Sequence, residues 1–465
     1  MHLADYMRQV PDLAQFPVVD ALHAEPDALA AAHPDLVSVR RIGTSRSGDP
    51  LRVLTVGDGP ADAVVIGGPH PNEPVGGLTV CVLAGLLCRD AALRAELGYR
   101  WHLVPCADPD GARLNEGWFG RPGDRRAYAE HFYRPDPVEQ VEWTFPLSGE
   151  EYRFDRTLPE TAALMRLMDE VEPSLVCSLH NGEHQGVFFY LNRDDLELAH
   201  RLAELAGHEG LPLHHGEPEL PGSRLIAPAV YAMHDGAQVG AMFGAGAGSA
   251  DYAARFGALH LVPEVPLWTD QRVADRSETG TGHEQLLVSG AVARREALDT
   301  LEAALAAVAG DLTVRSPFER SLRATLRTFR TLVDHRDAVP GPDRPATVAE
   351  EFDHRQELHL LRLRLLGTFL RMLDAEIAAG SSAPAVHTQR RVLGDIFDRW
   401  VGEAVADTRG PAIEIRRTVA VQMGAILLAA TRAVGPGQYT SRIPTGRSMG
   451  SSAGRPATST AATAV

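Results

Sequence analysis

Short apolar runs punctuate the first 280 or so positions of the chain. Segments 63–67, 101–106, 174–179, 187–191 and 258–262 are rich in Val, Ile, Leu and aromatic residues and are bounded by turn formers, so they read as buried strands. Between them, 78–87, 158–171 and 194–206 repeat apolar residues at helical spacing. Strands alternating with helices predict an α/β domain, with a mixed, mostly parallel sheet covered by helices on both faces. In such sheets chemistry gathers beyond the carboxyl ends of the strands. Three of the five runs lead directly into His70, His180 and Glu264.

The pattern changes near position 284, where only helical periodicity remains. Ser316-Pro317-Phe318-Glu319 and Thr347-Val348-Ala349-Glu350 have the form of capping boxes, and 357–378, 385–406 and 412–433 carry apolar residues at helical spacing. The expected organisation is a catalytic domain over 1–283, a C-terminal all-α helical bundle over 284–434, and a disordered tail over 435–465 rich in Gly, Ser, Thr and Ala.

Composition narrows the chemistry. All 45 basic residues are arginine, so a lysine Schiff base, a P-loop lysine and a Ser-Lys dyad are excluded. The formal charge of −16 repels phosphate backbones and argues against nucleic acid as a partner. The four cysteines lack metal or redox spacing and are expected to be reduced. Neither a signal peptide nor a membrane-length apolar run is evident, so a cytoplasmic location without membrane association is expected. The helical region is a candidate surface for self-association.

The strand 64–67 ends in Gly68-Pro69-His70-Pro71-Asn72-Glu73. Two ligands three residues apart on a tight turn reach one ion, and imidazole with carboxylate suits zinc. His180, where another apolar strand stops, supplies the third ligand, leaving one coordination position open. The His-x-x-Glu spacing alone is common, recurring at His180–Glu183 and His354–Glu357. Its placement at strand ends is what singles out His70, Glu73 and His180 as the site of one zinc ion per chain.

Several blocks in order resemble the carboxypeptidase A-like zinc carboxypeptidase superfamily. They are Ile42-Gly43-Thr44-Ser45-Arg46-Ser47-Gly48, the turn from Gly68 to Glu73, Asp108-Pro109-Asp110-Gly111, Leu179-His180, and Gly248-Ser249-Ala250-Asp251-Tyr252 followed by Val262-Pro263-Glu264. The resemblance covers about residues 35 to 270 and implies a zinc carboxypeptidase-like fold. It also implies hydrolysis of a peptide or small amide next to a free carboxylate, with His70, Glu73 and His180 on zinc and Glu264 as general base. Of the arginines that such enzymes use, Arg134 in His131-Phe132-Tyr133-Arg134 matches the one holding the substrate carboxylate, with Tyr133 where the family has asparagine. Arg126 is the choice for polarising the scissile carbonyl, with Arg121 and Arg125 as alternatives. The family's mobile tyrosine falls near Phe243, with Tyr231 or Tyr252 as substitutes, and Ala250 stands where side-chain preference is set. Two other readings stay open: a deacylase of N-acyl amino acids, of the succinylglutamate desuccinylase/aspartoacylase branch, and a non-catalytic zinc-stabilised binding module.

Overall fold

The computed structural model describes residues 2–149, 152–216, 223–337 and 342–433. The expected tail, 435–465, lies outside them. Nine strands form one mixed sheet: β1 (Val37–Thr44), β2 (Pro50–Val56), β3 (Ala61–Gly67), β4 (Tyr99–Val104), β5 (Leu175–Gly182), β6 (Phe188–Leu191), β7 (Leu225–Ala227), β8 (Val230–Ala232) and β9 (Leu259–Pro266). Their order is β1-β2-β4-β3-β5-β9-β6-β8-β7. The central ladders β4-β3-β5-β9 are parallel, as is β6-β8, while the pairs β1-β2, β2-β4, β9-β6 and β8-β7 are antiparallel. Parallel pairing thus holds the strands that lead into the three sequence candidates.

Alternation along β3 splits the core into two layers. Ala63 and Val65 face one apolar cluster, Val64 and Ile66 the other. The first layer holds α1 (Val75–Arg89); the second holds α3 (Pro159–Val171), whose Leu164, Leu167 and Met168 are buried, with α2 (Arg125–His131) lying in the connection between them. α4 (Leu196–His208) joins the first layer through Leu198, Leu202 and Leu205. The N-terminus of α1 comes unusually near the sheet. A Cβ on Gly67 would lie 2.9 Å from the Gly76 backbone, and one on Gly76 would lie 2.8 Å from Leu179. Two glycines therefore allow the turn bearing His70 and Glu73 to sit against β5.

The C-terminal region is helical, as its periodicity predicts: α5 (His283–Val308), α6 (Pro317–Asp337), α7 (Val348–Ala378), α8 (Pro384–Asp407) and α9 (Ile415–Ala430). Thr347 and Glu350 form the anticipated capping box, and Ser316 caps Glu319 N at 3.1 Å. α5 to α8 share their own core around Leu298, Leu322, Leu366, Phe369 and Phe397. α9 packs elsewhere. Every residue from Thr418 to Ala430 is buried, and the helix lies on α1, α4 and β9 within the sheet's first layer. A helix apolar on all sides needs such enclosure.

Helix α7 clasps the sheet-bearing part as well. At Gly367 it approaches the Ala129 carbonyl of α2 so closely that no side chain fits between them. Arg371 then donates to the carbonyls of His131 and Phe132 at 2.8 and 3.1 Å, satisfying groups that the end of α2 leaves unpaired. All four cysteines are free. Among the described residues, no single helix is long and apolar enough to cross a membrane.

Candidate metal centre

Gly68, with φ +59°, turns the chain at the end of β3, and Glu73 N then bonds His70 O at 3.1 Å. This tight turn aims both side chains at the carboxyl end of β5. There His180 Nδ1 stands 3.0 Å from Glu73 Oε2. The rings of His70 and His180 meet edge-to-face with centroids 4.8 Å apart. One donor atom from each of His70, Glu73 and His180 lies within 4.8 Å of the others, and all three residues are buried. His70 Nδ1 is buried with no hydrogen-bond partner among the described residues. An orphaned imidazole nitrogen beside a carboxylate and a second imidazole fits a metal ligand, and His₂Glu is a zinc donor set.

Glu264 joins the group from the neighbouring strand. It pairs in register with His180 across the parallel β5–β9 ladder, and its Oε1 lies 3.7 Å from His180 Nδ1. Arg134 also arrives: its Nη1 donates to Glu73 Oε1 at 3.0 Å. All five side chains line one cleft. Arg126 does not reach it. That side chain is 45% exposed on α2, paired with Glu130 at 3.2 Å and Asp398 at 2.7 Å, and lines a separate groove with Phe397. Arg125 donates to Gly410 O, and Arg121 pairs with Asp124 on the surface. Among the four loop arginines, only Arg134 lines the cleft.

The tyrosine expectations also resolve. Phe243 ends a short helix outside the cleft lining, Tyr252 Oη donates to Asp169 at 2.8 Å, and Tyr231 packs on Phe188. The tyrosine that lines the cleft is Tyr190 of β6, which the motif reading passed over. Ala250 lines it too, while Asp251 accepts from Gly248 N and Gly236 N at 3.1 and 3.2 Å and so fixes that loop. Asp110 of the Asp-Pro-Asp-Gly block accepts from Ser45 Oγ at 2.5 Å and Ser47 N at 2.8 Å, tying that block to the Ile42–Gly48 turn.

A second tier of polar groups holds the centre. His180 Nε2 lies 3.2 Å from Ser178 Oγ, which donates to Glu142 Oε2 at 3.3 Å; Glu142 Oε1 accepts from Ser249 N and Oγ at 2.8 and 2.7 Å. Such partners fix the orientation of a ligand imidazole. From the other side, Gln422 of α9 donates to His180 O at 2.7 Å. Glu183, three residues past His180, is buried against Tyr128 and Arg364, and Arg364 from α7 also lines the cleft.

Burial shapes the electrostatics first. It drives His70 well below the ordinary histidine range, helped by the charges of Arg134, His180 and Arg364. For His180 burial acts in the same direction, yet the adjacent Glu73, with Glu142 behind, outweighs it and holds the group above its usual value. Burial likewise raises Glu142, against the opposing pull of His180 and its serine donors.

Residues 22–210 match the family described as Zinc carboxypeptidase. The match covers less than half of the chain. Within it fall the three candidate ligands; Glu264 and all five C-terminal helices lie beyond. The chain is 30% identical over 97 residues to carboxypeptidase B from Astacus astacus, an alignment covering 20% of this chain and 32% of that relative. It thus spans about a third of that protein's length. Among solved structures it is similar to carboxypeptidase A from Helicoverpa armigera (14% identity, 58% of this chain, 70% of that chain, TM-score 0.40). It is also similar to a metallo-carboxypeptidase from Burkholderia cenocepacia (16% identity, 53% of this chain, 60% of that chain, TM-score 0.33).

Proposed function

We propose that this chain is a zinc-dependent metallocarboxypeptidase that hydrolyses an amide or peptide bond next to a free carboxylate. One observation carries the reading: Glu264 stands in register beside His180, a carboxylate at the rim of a His₂Glu donor set and inside the same cleft. A purely structural zinc site is closed by four protein ligands, whereas this one offers three and a neighbouring acid.

His70, Glu73 and His180 would hold the zinc ion, which would supply Lewis acidity at the carboxyl end of the sheet. Glu264 is then the general base: it takes a proton from the attacking water and passes it to the leaving amine. Arg134 presents a guanidinium beside Glu73 in the same cleft, where it can face the oxygens of an amide substrate. Ser178 and Glu142 keep the His180 ring in its orientation throughout.

The test is to incubate zinc-loaded protein with a mixed library of peptides and N-acyl amino acids and to read the products by mass spectrometry. Release of single C-terminal residues is expected. Conversion confined to short N-acyl amino acids would move the assignment to the deacylase branch. Turnover of nothing, with zinc retained, would leave a zinc-stabilised binding module.

A further inference from the structure

Helix α7 lies outside the matched segment, yet Arg364 on it borders the same cleft as His70, Glu73, His180 and Glu264. Its placement is fixed from several sides. The guanidinium is ion-paired with Glu183, whose carboxylate also accepts from Tyr128, and it stacks 4.8 Å from the centroid of Phe132. Gly367 and Arg371, on the following turns, lock α7 against α2. A guanidinium has five N–H donors, and one carboxylate and one hydroxyl engage only some of them. The result is a firmly positioned, partly exposed cation in the wall of the cleft, able to meet a carboxylate.

Two arginines therefore meet the cleft at different places. Arg134 bonds the ligand residue Glu73, whereas Arg364 pairs with Glu183, three residues past the ligand His180. An amide substrate presents two oxygen-bearing groups a few bonds apart, the scissile carbonyl and the terminal carboxylate. We propose that Arg364, supplied by the helical region, binds the substrate's free carboxylate, leaving Arg134 to face the scissile carbonyl. The active site is then composite, incomplete without α7. This assignment rests on the carboxypeptidase reading above for the identity of the substrate, but its test is a binding measurement.

The full-length, zinc-loaded protein is titrated calorimetrically with N-acetyl-phenylalanine and with its terminal amide. The unaltered protein binds the acid roughly 10- to 100-fold more tightly than the amide, the value of a charge-assisted bidentate contact. Arg364→Lys keeps a cation against Glu183 but removes the planar fork, and it loses most of that preference. The double variant Arg364→Met/Glu183→Gln leaves no buried charge alone, and it loses the preference entirely while retaining zinc. Should the double variant fail to fold, Arg364→Lys decides the matter. A preference that survives in the folded variants overturns the proposal, because the metal or Arg134 then holds the carboxylate; a wild-type protein indifferent to acid and amide overturns it equally. An Arg364-dependent preference in a protein that hydrolyses no amide would sink the carboxypeptidase reading and leave this carboxylate site standing.

Discussion

Gln422→Leu tests whether α9 holds the metal centre or merely covers the sheet. Gln422 is fully buried; it donates to His180 O at 2.7 Å and accepts from Thr79 Oγ1 at 2.8 Å. Leucine fills nearly the same space but withdraws both contacts. Thr79 keeps a second acceptor, Val75 O at 3.0 Å, so its hydroxyl is not stranded. What remains is one carbonyl deprived of its partner, on the residue whose imidazole is a ligand. A buried group left short of a hydrogen bond costs about 1–3 kcal/mol, and the retained Thr79 contact puts this site at the lower end. If that loss falls on the geometry of His180, zinc binding weakens by roughly tenfold, since 1.4 kcal/mol is a factor of ten. The assay is chelator competition for zinc alongside thermal melts of metal-free and zinc-loaded protein. Val421→Ala, on the same buried helix, serves as the control. It should lower both melting temperatures together by opening a cavity, with zinc affinity unchanged. Should Gln422→Leu behave like this control, the contact with His180 is packing alone and the reasoning fails.

Other outcomes follow from the same geometry. Glu264→Gln should retain zinc and fold normally while kcat falls roughly 10²–10⁴-fold; unchanged turnover removes it as the base. Arg126→Ala should leave kcat/KM within about twofold, because its partners are surface carboxylates, whereas Arg134→Ala should lower it by about 10²–10³; equal effects would contradict the placement of the two side chains. His70→Ala should abolish stoichiometric zinc in elemental analysis, since two remaining ligands hold the ion poorly. His184 and His260 are buried and pushed down to about 3 by desolvation, below an unfolded value near 6.5. Their folded pKa is depressed, so the stability they contribute is present above about pH 6.5 and is lost as pH falls towards 3. The melting temperature of metal-free protein should therefore fall between pH 7 and pH 4.5, less steeply in His260→Asn; identical slopes would rule out His260 as a contributor.

The sheet was legible because buried parallel strands demand continuous β-branched and aliphatic runs, and His70, Glu73, His180 and Glu264 stand at the ends of such runs. Arg126 was misplaced for a local reason. Neighbours on a helix point roughly 100° apart, so one arginine-rich stretch sends Arg125 towards Trp268, Arg126 to solvent and only Arg134, beyond the helix end, into the cleft. Arg364 was hidden for a different one. In Arg362-Leu363-Arg364-Leu365 it looks like a solvated helix face, and its partner Glu183 is 181 positions away. Gln422 did leave a trace, as a lone amide inside the apolar run from Val419 to Ala430. A polar group in such a run needs a buried partner. Glu142, flanked by Val141 and Trp143, carries the same signature.

The burial of α9 also bears on how the protein is made. The sheet is encoded before residue 267, but the helix that seals its first layer against α1, α4 and β9 emerges only after α5 to α8 have been synthesised. At about 5–20 residues per second the ribosome needs several seconds or more to bridge that interval. For that time the nascent chain displays the apolar surface later covered by Val419, Val421, Ile426 and Leu428, with the His180 carbonyl still waiting for Gln422. Ribosome-bound intermediates are therefore expected to be chaperone clients, with the candidate metal centre lacking its Gln422 contact until α9 has emerged.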